Sequence, residues 1–170
     1  YRPGQEQQIA LVRRLKKAGA TRVFVGGDRS DVAIMARDAQ SEKIPLTFMG
    51  GDAMRASNQP LALADGAQTV ALPDYAALPA AQPTVDAMRA ARIEPDGYIL
   101  PSAAAVSIAD QAATAAKAEN KPIVEKLVGT TFQTPIGPVS FGKNHELTEN
   151  PFRLQEWRGN AFVPLQPPSN

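Results

Sequence analysis

The chain has 170 residues, of which 44% are hydrophobic and 21% charged, and its formal net charge is +1. This size and balance indicate a globular domain rather than a disordered chain or a nucleic-acid-binding protein, and no apolar run approaches the ~20 residues that span a bilayer. The absence of cysteine and the single histidine exclude thiol catalysis, disulfides and thiolate or His-rich metal centres, so we expect neither a cofactor nor a metal site.

The first 72 residues alternate helical and strand patterns. Helical spacing over residues 5–18 predicts an amphipathic helix. Ser30 is expected to cap a second helix, and a shorter helix is expected from Asp52. Short apolar runs predict buried strands at residues 22–25, 44–49 and 68–72. This order predicts βα units on a parallel sheet.

The remaining residues divide into a helical part and a strand part. Prolines at positions 73, 79 and 83 mark a crossing between two structural regions. Helices are expected over residues 84–91, over 97–118 with a late start or a kink at Pro101, and between Pro122 and Gly129. Strand patterns follow at 139–141, 152–157 and 161–165, where a β-hairpin closes the chain before a loose tail at 166–170.

A short unit that ends in Gly-Gly-Asp occurs twice, and each copy follows a predicted strand. The two aspartates are Asp28 and Asp52, and the carboxyl ends of parallel strands are where ligands bind in open α/β sheets. Two carboxylates there favour a cationic group such as an ammonium and repel a phosphate. Neither the G-x-G-x-x-G nor the G-x-x-x-x-G-K-[ST] motif occurs.

The two aspartates, and the other residues that could serve a site, also have plain structural interpretations. The Gly-Gly-Asp units can be tight turns with an aspartate at a helix N-cap. Arg29 can neutralise Asp28, reach an anionic ligand group or be an ordinary surface arginine. His145 fits a solvated loop residue, and Trp157 fits packing. Paired-carboxylate catalysis by the two aspartates lacks a separated acid and base.

Several motifs along the chain carry a resemblance to a known family. They are YRPG at residue 1, KKAG at 16, VFVGGD at 23, MARDA at 35, FMGGD at 48, EPDGY at 94, GTTFQTPIGPVSF at 129 and QEWRG at 155. Their succession resembles the branched-chain amino acid type of periplasmic binding proteins, the substrate-capturing components of ABC transporters.

The resemblance implies two α/β lobes joined by crossover strands and closing on a small ligand. Residues 1–72 and 131–170 would belong to the second lobe, residues 73–83 to a hinge crossing, and residues 84–130 to helices of the first lobe. Because the chain opens on Tyr1 without a signal peptide, we expect a mature piece or a fragment. It resembles the C-terminal half of a family member, so we expect exposed apolar surface that self-associates or is covered by a missing N-terminal half.

The resemblance also implies a binding site. In amino-acid-binding relatives, an acidic residue at the position of Asp52 grips the ligand ammonium. The position after the first Gly-Gly is often aromatic in relatives, whereas this chain has Asp28 followed by Arg29. Gly27 and Ala53 adjoin the two aspartates and complete the expected ligand-binding set.

The function implied is that of a periplasmic solute-binding protein that captures an amino acid or similar small polar molecule for an ABC transporter permease, without catalysis. A ligand-sensing domain of the same fold, used in signalling or regulation, is the alternative. A small α/β hydrolase-like enzyme is the third interpretation, but no G-x-S-x-G elbow occurs.

Overall fold

The structure is a computed structural model that describes residues 1–55 and 62–165. The chain divides into two compact units, one made of Tyr1–Leu72 and Phe152–Asn170 and the other of Pro73–Pro151. Residues 131–151 therefore lie in the second unit, whereas the sequence prediction groups them with residues 1–72. The assignment of these units to lobes, and of residues 73–83 to a hinge, stays a prediction.

Five helices and seven strands follow one another along the described chain. In order they are α1 Ile9–Lys17, β1 Arg22–Val25, α2 Arg29–Ser41, β2 Thr47–Gly50, β3 Gln68–Ala71, α3 Gln82–Ala90, α4 Ile99–Glu119, α5 Ile123–Leu127, β4 Thr131–Thr134, β5 Gly137–Ser140, β6 Arg153–Arg158 and β7 Ala161–Pro164. Short 3₁₀ helices lie at Asp52–Arg55, Tyr75–Ala77 and Pro79–Ala81. None of the helices that the structure describes combines the length and apolar character needed to cross a membrane.

The first unit is built on a five-stranded sheet of order β1-β2-β3-β6-β7. The pairs β1·β2 and β2·β3 are parallel, as the βα pattern predicts. The terminal hairpin β6–β7 is also confirmed, and β6 pairs antiparallel with β3. The fold class predicted from the sequence, α/β with parallel βα units and a C-terminal hairpin, is confirmed. The sequence patterns do not predict that this hairpin pairs with β3.

Several element boundaries differ from the predictions for local reasons. α1 begins at Ile9 rather than at residue 5. α2 begins at Arg29 and is capped by Asp28 instead of Ser30, because the Asp28 side chain accepts a hydrogen bond from the Asp31 N–H. The helix expected from Asp52 begins as a 3₁₀ turn over Asp52–Arg55, and residues 56–61 lie outside the described residues. The predicted tail at 166–170 lies outside the described residues.

α1 and α2 contribute to one apolar core with the sheet. Val12 of α1, Val32 and Met35 of α2, and Phe48 of β2 are buried in this cluster together with Trp157 of β6. Burial of such side chains contributes roughly 1.5–3 kcal/mol each. One apolar cluster therefore joins both helices to the parallel strands and to the C-terminal hairpin.

The second unit packs the hairpin β4–β5 against α4. Ile108 and Ala112 of α4 form a buried cluster with Phe132 of β4. The late start predicted for α4 is confirmed, since it begins at Ile99 and Pro101 lies in its first turn. Proline is tolerated there because the first N–H groups of a helix have no intrahelical partner.

The first prediction concerns this second core. Phe132 is almost fully buried, so Phe132→Ala should lower the free energy of unfolding by about 3–5 kcal/mol, the usual cost of truncating a core aromatic. Urea unfolding followed by far-UV circular dichroism measures the change. Val106→Ala is the control, because Val106 is 71% exposed on α4 and should change stability by less than ~0.5 kcal/mol. Equal effects of the two substitutions would contradict this packing.

Candidate functional site

The two Gly-Gly-Asp units end neighbouring strands at the same edge of the sheet. Val25, the last residue of β1, pairs with Gly50, the last residue of β2. Adjacent strands lie ~4.8 Å apart, so Asp28 and Asp52 follow strand ends that are nearly level. The adjacency on which the predicted site depends is therefore present.

Asp52 lies in a turn that is held from several sides. The residue as a whole is half-buried, and Oδ1 accepts a hydrogen bond of 3.1 Å from the N–H of the exposed Ala53. The buried Thr69 of β3 donates its hydroxyl to the Gly51 carbonyl at 2.7 Å. A Cβ at Gly50 would lie 2.5 Å from Cγ of Met54. The hydrogen bond from Thr69 and the close packing of Met54 against Gly50 therefore fix the turn that carries Asp52.

Asp28 has a local structural role as well as its place at the edge. Its Oδ1 accepts a hydrogen bond of 3.0 Å from the Asp31 N–H and caps α2. The N-cap interpretation of this Gly-Gly-Asp unit is therefore observed. The Asp28 residue as a whole is exposed. Its carboxylate consequently adds negative charge at the edge while it stabilises the helix.

Tyr1 and Asp31 lie beside the first turn, and no sequence motif assigns either of them to the site. The Tyr1 hydroxyl donates to Asp31 Oδ2 at 3.0 Å, and the Gly4 N–H donates to Asp31 Oδ1 at 2.9 Å. Gly27 must stay small, because a Cβ there would overlap the Tyr1 hydroxyl oxygen. No local pattern signals this contact, which joins residues 30 positions apart.

The surroundings of the Tyr1 phenol shift its pKa. Partial burial, the hydrogen bond to Asp31 and the negative charges of Asp31 and Asp28 raise the pKa of Tyr1 to about 12. A neutral phenol therefore lies beside two carboxylates at the end of β1. This corner of the edge is therefore rich in hydrogen-bond acceptors.

Arg29 occupies the core side of the sheet. Its guanidinium lies over the Trp157 ring, with 4.6 Å between Cζ and the ring centroid. Desolvation lowers the pKa of Arg29. Trp157 is itself buried, and its ring makes an edge-to-face contact with the Phe162 ring, with 5.0 Å between the two ring centroids. This cation–π packing explains how an arginine is accommodated with only 9% exposure.

Other features of the described chain lie elsewhere. His145 is exposed in a turn where its N–H donates to the Gly142 carbonyl. An open cavity of about 790 Å³ is lined by Thr47 and Ala67, among others, near the amino ends of β2 and β3. This end of the sheet is opposite the edge where ligands bind in open α/β sheets. Residues 1–55 and 62–165 contain no group of three side chains suited to holding a metal ion.

Known proteins resemble this chain over nearly all of its length. It is 29% identical over 167 residues to the leucine-, isoleucine-, valine-, threonine- and alanine-binding protein of Pseudomonas aeruginosa, covering 93% of this chain and 44% of that protein. It is 27% identical to the Leu/Ile/Val/Thr-binding protein of Salmonella typhimurium, with the same coverage. No family model matches the chain.

Solved structures give the same result for the fold. A branched-chain amino acid ABC transporter protein from Thermus thermophilus with bound valine superposes with a TM-score of 0.72 at 19% identity. The match covers 96% of this chain and 49% of that one. The resemblance to the branched-chain amino acid type of periplasmic binding proteins is therefore confirmed, and the chain spans about half the length of the proteins it matches.

The second prediction tests the contact between Tyr1 and Gly27. Gly27→Ala should displace the Tyr1 phenol and return its pKa from about 12 toward the ordinary 10.0. Spectrophotometric titration of the tyrosines measures this pKa. Because the unfolded chain loses the Tyr1 proton first, the stability linked to this group is complete below pH 10.0 and is lost as the pH rises to about 12.

Gly51→Ala is the matched control for this titration. A Cβ at Gly51 would meet no atom within 4 Å. The tyrosine titration should therefore be unchanged in that variant. A phenol that still titrates near 12 in Gly27→Ala would contradict the placement of Tyr1.

Proposed function

We propose that this chain is the Asp52-bearing part of an extracytoplasmic solute-binding protein that captures an amino acid for an ABC transporter. The observation that carries the proposal is the position of Asp52, a half-buried residue that follows the carboxyl end of β2 beside the end of β1. The similarity of the chain to Leu/Ile/Val-binding proteins over 93% of its length supports the same assignment.

The charge at this edge favours a ligand that carries an ammonium group. Asp52 and Asp28 follow adjacent strand ends, and the Tyr1 hydroxyl adds a further polar atom beside the first of them. A carboxylate gains a strong, charge-assisted hydrogen bond from an ammonium and repels another anion. An amino acid would therefore place its amino group, and not its carboxylate, against this edge.

The carboxylate of such a ligand needs donors from elsewhere in the complete protein. The relatives are longer, since this chain covers 44% of the P. aeruginosa protein. In a clamp of this type, a second surface closes over the ligand and excludes water, which strengthens the contact between the ammonium and Asp52. Residues outside this chain would supply that surface.

Transport without catalysis follows from the same proposal. Binding by Asp52 requires only a geometric and electrostatic match, and Asp28 is engaged as a helix cap. The product of the interaction is a closed, liganded clamp that a membrane permease recognises. The protein would therefore operate outside the cytoplasm, in the periplasm of its cell.

The third prediction tests Asp52 in the complete protein. Asp52→Asn preserves the shape of the side chain and removes its charge. It should weaken the binding of leucine, valine or alanine by about 2–5 kcal/mol, the range for losing one partner of a desolvated charge pair. Isothermal titration calorimetry measures the dissociation constants.

Asp110→Asn is the control, because Asp110 is an exposed residue of α4 and its loss should leave affinity unchanged. An Asp52→Asn protein that binds amino acids as tightly as the parent would contradict the role of Asp52. A parent protein that binds none of the twenty amino acids would contradict the proposed ligand class itself.

The fourth prediction concerns the 170-residue chain alone. It contains the Asp52 edge but not the rest of the clamp, so it should bind leucine-like ligands far more weakly than the complete protein. A thermal-shift measurement compares the two, since a ligand raises the apparent melting temperature by an amount that grows with the ratio of its concentration to its dissociation constant. Micromolar binding by the short chain would contradict a site completed from outside.

A further inference from the structure

The turn that contains Asp52 is connected to the point where the chain leaves the first unit. The chain leaves this unit after Leu72 and returns to it at Phe152. Ala71 at the end of β3 pairs with Arg153 at the start of β6, so the departing and returning segments lie side by side. Because β2 and β3 are parallel, this place is at the same edge of the sheet as the Asp52 turn.

Arg55 forms the connection. Its Nη1 donates a hydrogen bond of 2.5 Å to the Leu72 carbonyl oxygen. Arg55 ends the 3₁₀ turn that Asp52 begins, and side chains three positions apart in a 3₁₀ helix lie on the same side of it. Met54 between them is fully buried in the core. One short, anchored turn therefore carries both the Asp52 carboxylate and the Arg55 guanidinium.

The same carbonyl has a second donor. Gln155 of β6 is 3% exposed, and its side-chain amide donates to the Leu72 carbonyl at 3.1 Å. A carbonyl oxygen has two lone pairs, so these two donors use its full capacity. The bond from Arg55 is charge-assisted, and such bonds are roughly twice as strong as neutral ones. Arg55 and Gln155 together therefore fix the direction of this carbonyl.

The direction of the Leu72 carbonyl sets the course of the departing chain. The next residue is Pro73, and the Leu72 carbonyl and the Pro73 nitrogen belong to one planar peptide group. The proline ring restricts its own φ to a narrow range, and it restricts the residue before it to extended conformations. A rotation of the carbonyl is therefore passed on to the residues after Pro73, because few torsions remain that could absorb it.

We propose that Arg55 is a positioning residue for ligand capture. Through the Leu72 carbonyl, its guanidinium joins the Asp52 turn to the peptide bond at which the chain leaves the first unit. An ammonium bound by Asp52 then fixes the turn, the carbonyl and the course of the chain at Pro73 together. This role rests on the function proposed above, since Asp52 makes the ligand contact and Arg55 couples that contact to the departing chain.

The fifth prediction is a double-mutant cycle on Asp52 and Arg55 in the complete protein. The ligand is whichever of leucine, valine and alanine the parent protein binds most tightly. Arg55→Met keeps an unbranched stem and removes the guanidinium. It should weaken binding by about 10-fold in the parent and by less than ~2-fold in Asp52→Asn, because the coupling is lost when Asp52 no longer holds the ammonium. Isothermal titration calorimetry measures the four dissociation constants.

Gln155→Met tests the shared carbonyl separately, because Gln155 lies on β6 and not in the Asp52 turn. Methionine has a similar length and no amide. This substitution should weaken binding by about 5-fold in the parent and by less than ~2-fold in Asp52→Asn. Far-UV circular dichroism verifies that each variant is folded, and Arg55→Met, at a half-buried residue, tests the coupling even if the buried Gln155 tolerates no substitution.

Arg14→Met is the matched control, because Arg14 is an exposed residue of α1. This substitution also replaces a guanidinium by a thioether, but far along the sequence from the Asp52 turn. It should leave the affinity unchanged both in the parent and in Asp52→Asn.

An Arg55→Met protein that binds as tightly as the parent would overturn the proposal. An equal loss in the parent and in Asp52→Asn would overturn it as well, since Arg55 would then act independently of Asp52. So would a folded Gln155→Met protein with the affinity of the parent, since the Leu72 carbonyl would then transmit nothing.

The Asp52→Asn protein separates this role from the proposed function. If its affinity equals that of the parent, both the function assigned to Asp52 and the role of Arg55 are wrong. If its affinity falls while Arg55→Met has no effect, the role of Arg55 alone is wrong.

Discussion

The parallel pairing of β1 with β2 is the constraint on which the rest of the first unit depends. Because Val25 pairs with Gly50, the two Gly-Gly turns leave the sheet at one level, and their aspartates follow at one edge. The same pairing requires a crossover, which α2 supplies on the core side. A slip of one residue would exchange Val25 and Phe24 between the two faces and destroy both the core and the edge.

The terminal hairpin β6–β7 stabilises the parallel part of the sheet and the turns that follow it. Gln155 of β6 donates its side-chain amide to the Leu72 carbonyl at 3.1 Å, and Arg55 donates to the same oxygen at 2.5 Å. The carboxyl end of β3 is therefore held from the hairpin and from the turn that contains Asp52. Trp157 of the same hairpin packs against the Arg29 guanidinium. Gln155 and Trp157, near the C-terminus, thus stabilise the candidate site that residues nearer the N-terminus form.

Much of this arrangement could be predicted because its signals are local. The apolar runs at 22–25 and 68–72 become β1 and β3 with at most one residue of difference. The choice between Asp28 and Ser30 as the cap of α2 could not be made from composition. Both residue types cap helices well, and the extended backbone at Asp28 decides between them. The candidate site was predicted at its two carboxylates and missed at Tyr1, Asp31 and Thr69.

The sequence by itself determined the class of the fold, the order of its elements and the two acidic turns, since periodicity and turn residues act over a few positions. Only the tertiary structure decided which strands are neighbours, where β6 enters the sheet, and which residues of the sheet share a core with α1 and α2. Those features depend on contacts such as Tyr1 with Asp31 and Gln68 with Glu156, which join residues 30 and 88 positions apart. No local pattern encodes such pairs, because their free energy arises only when the sheet has formed.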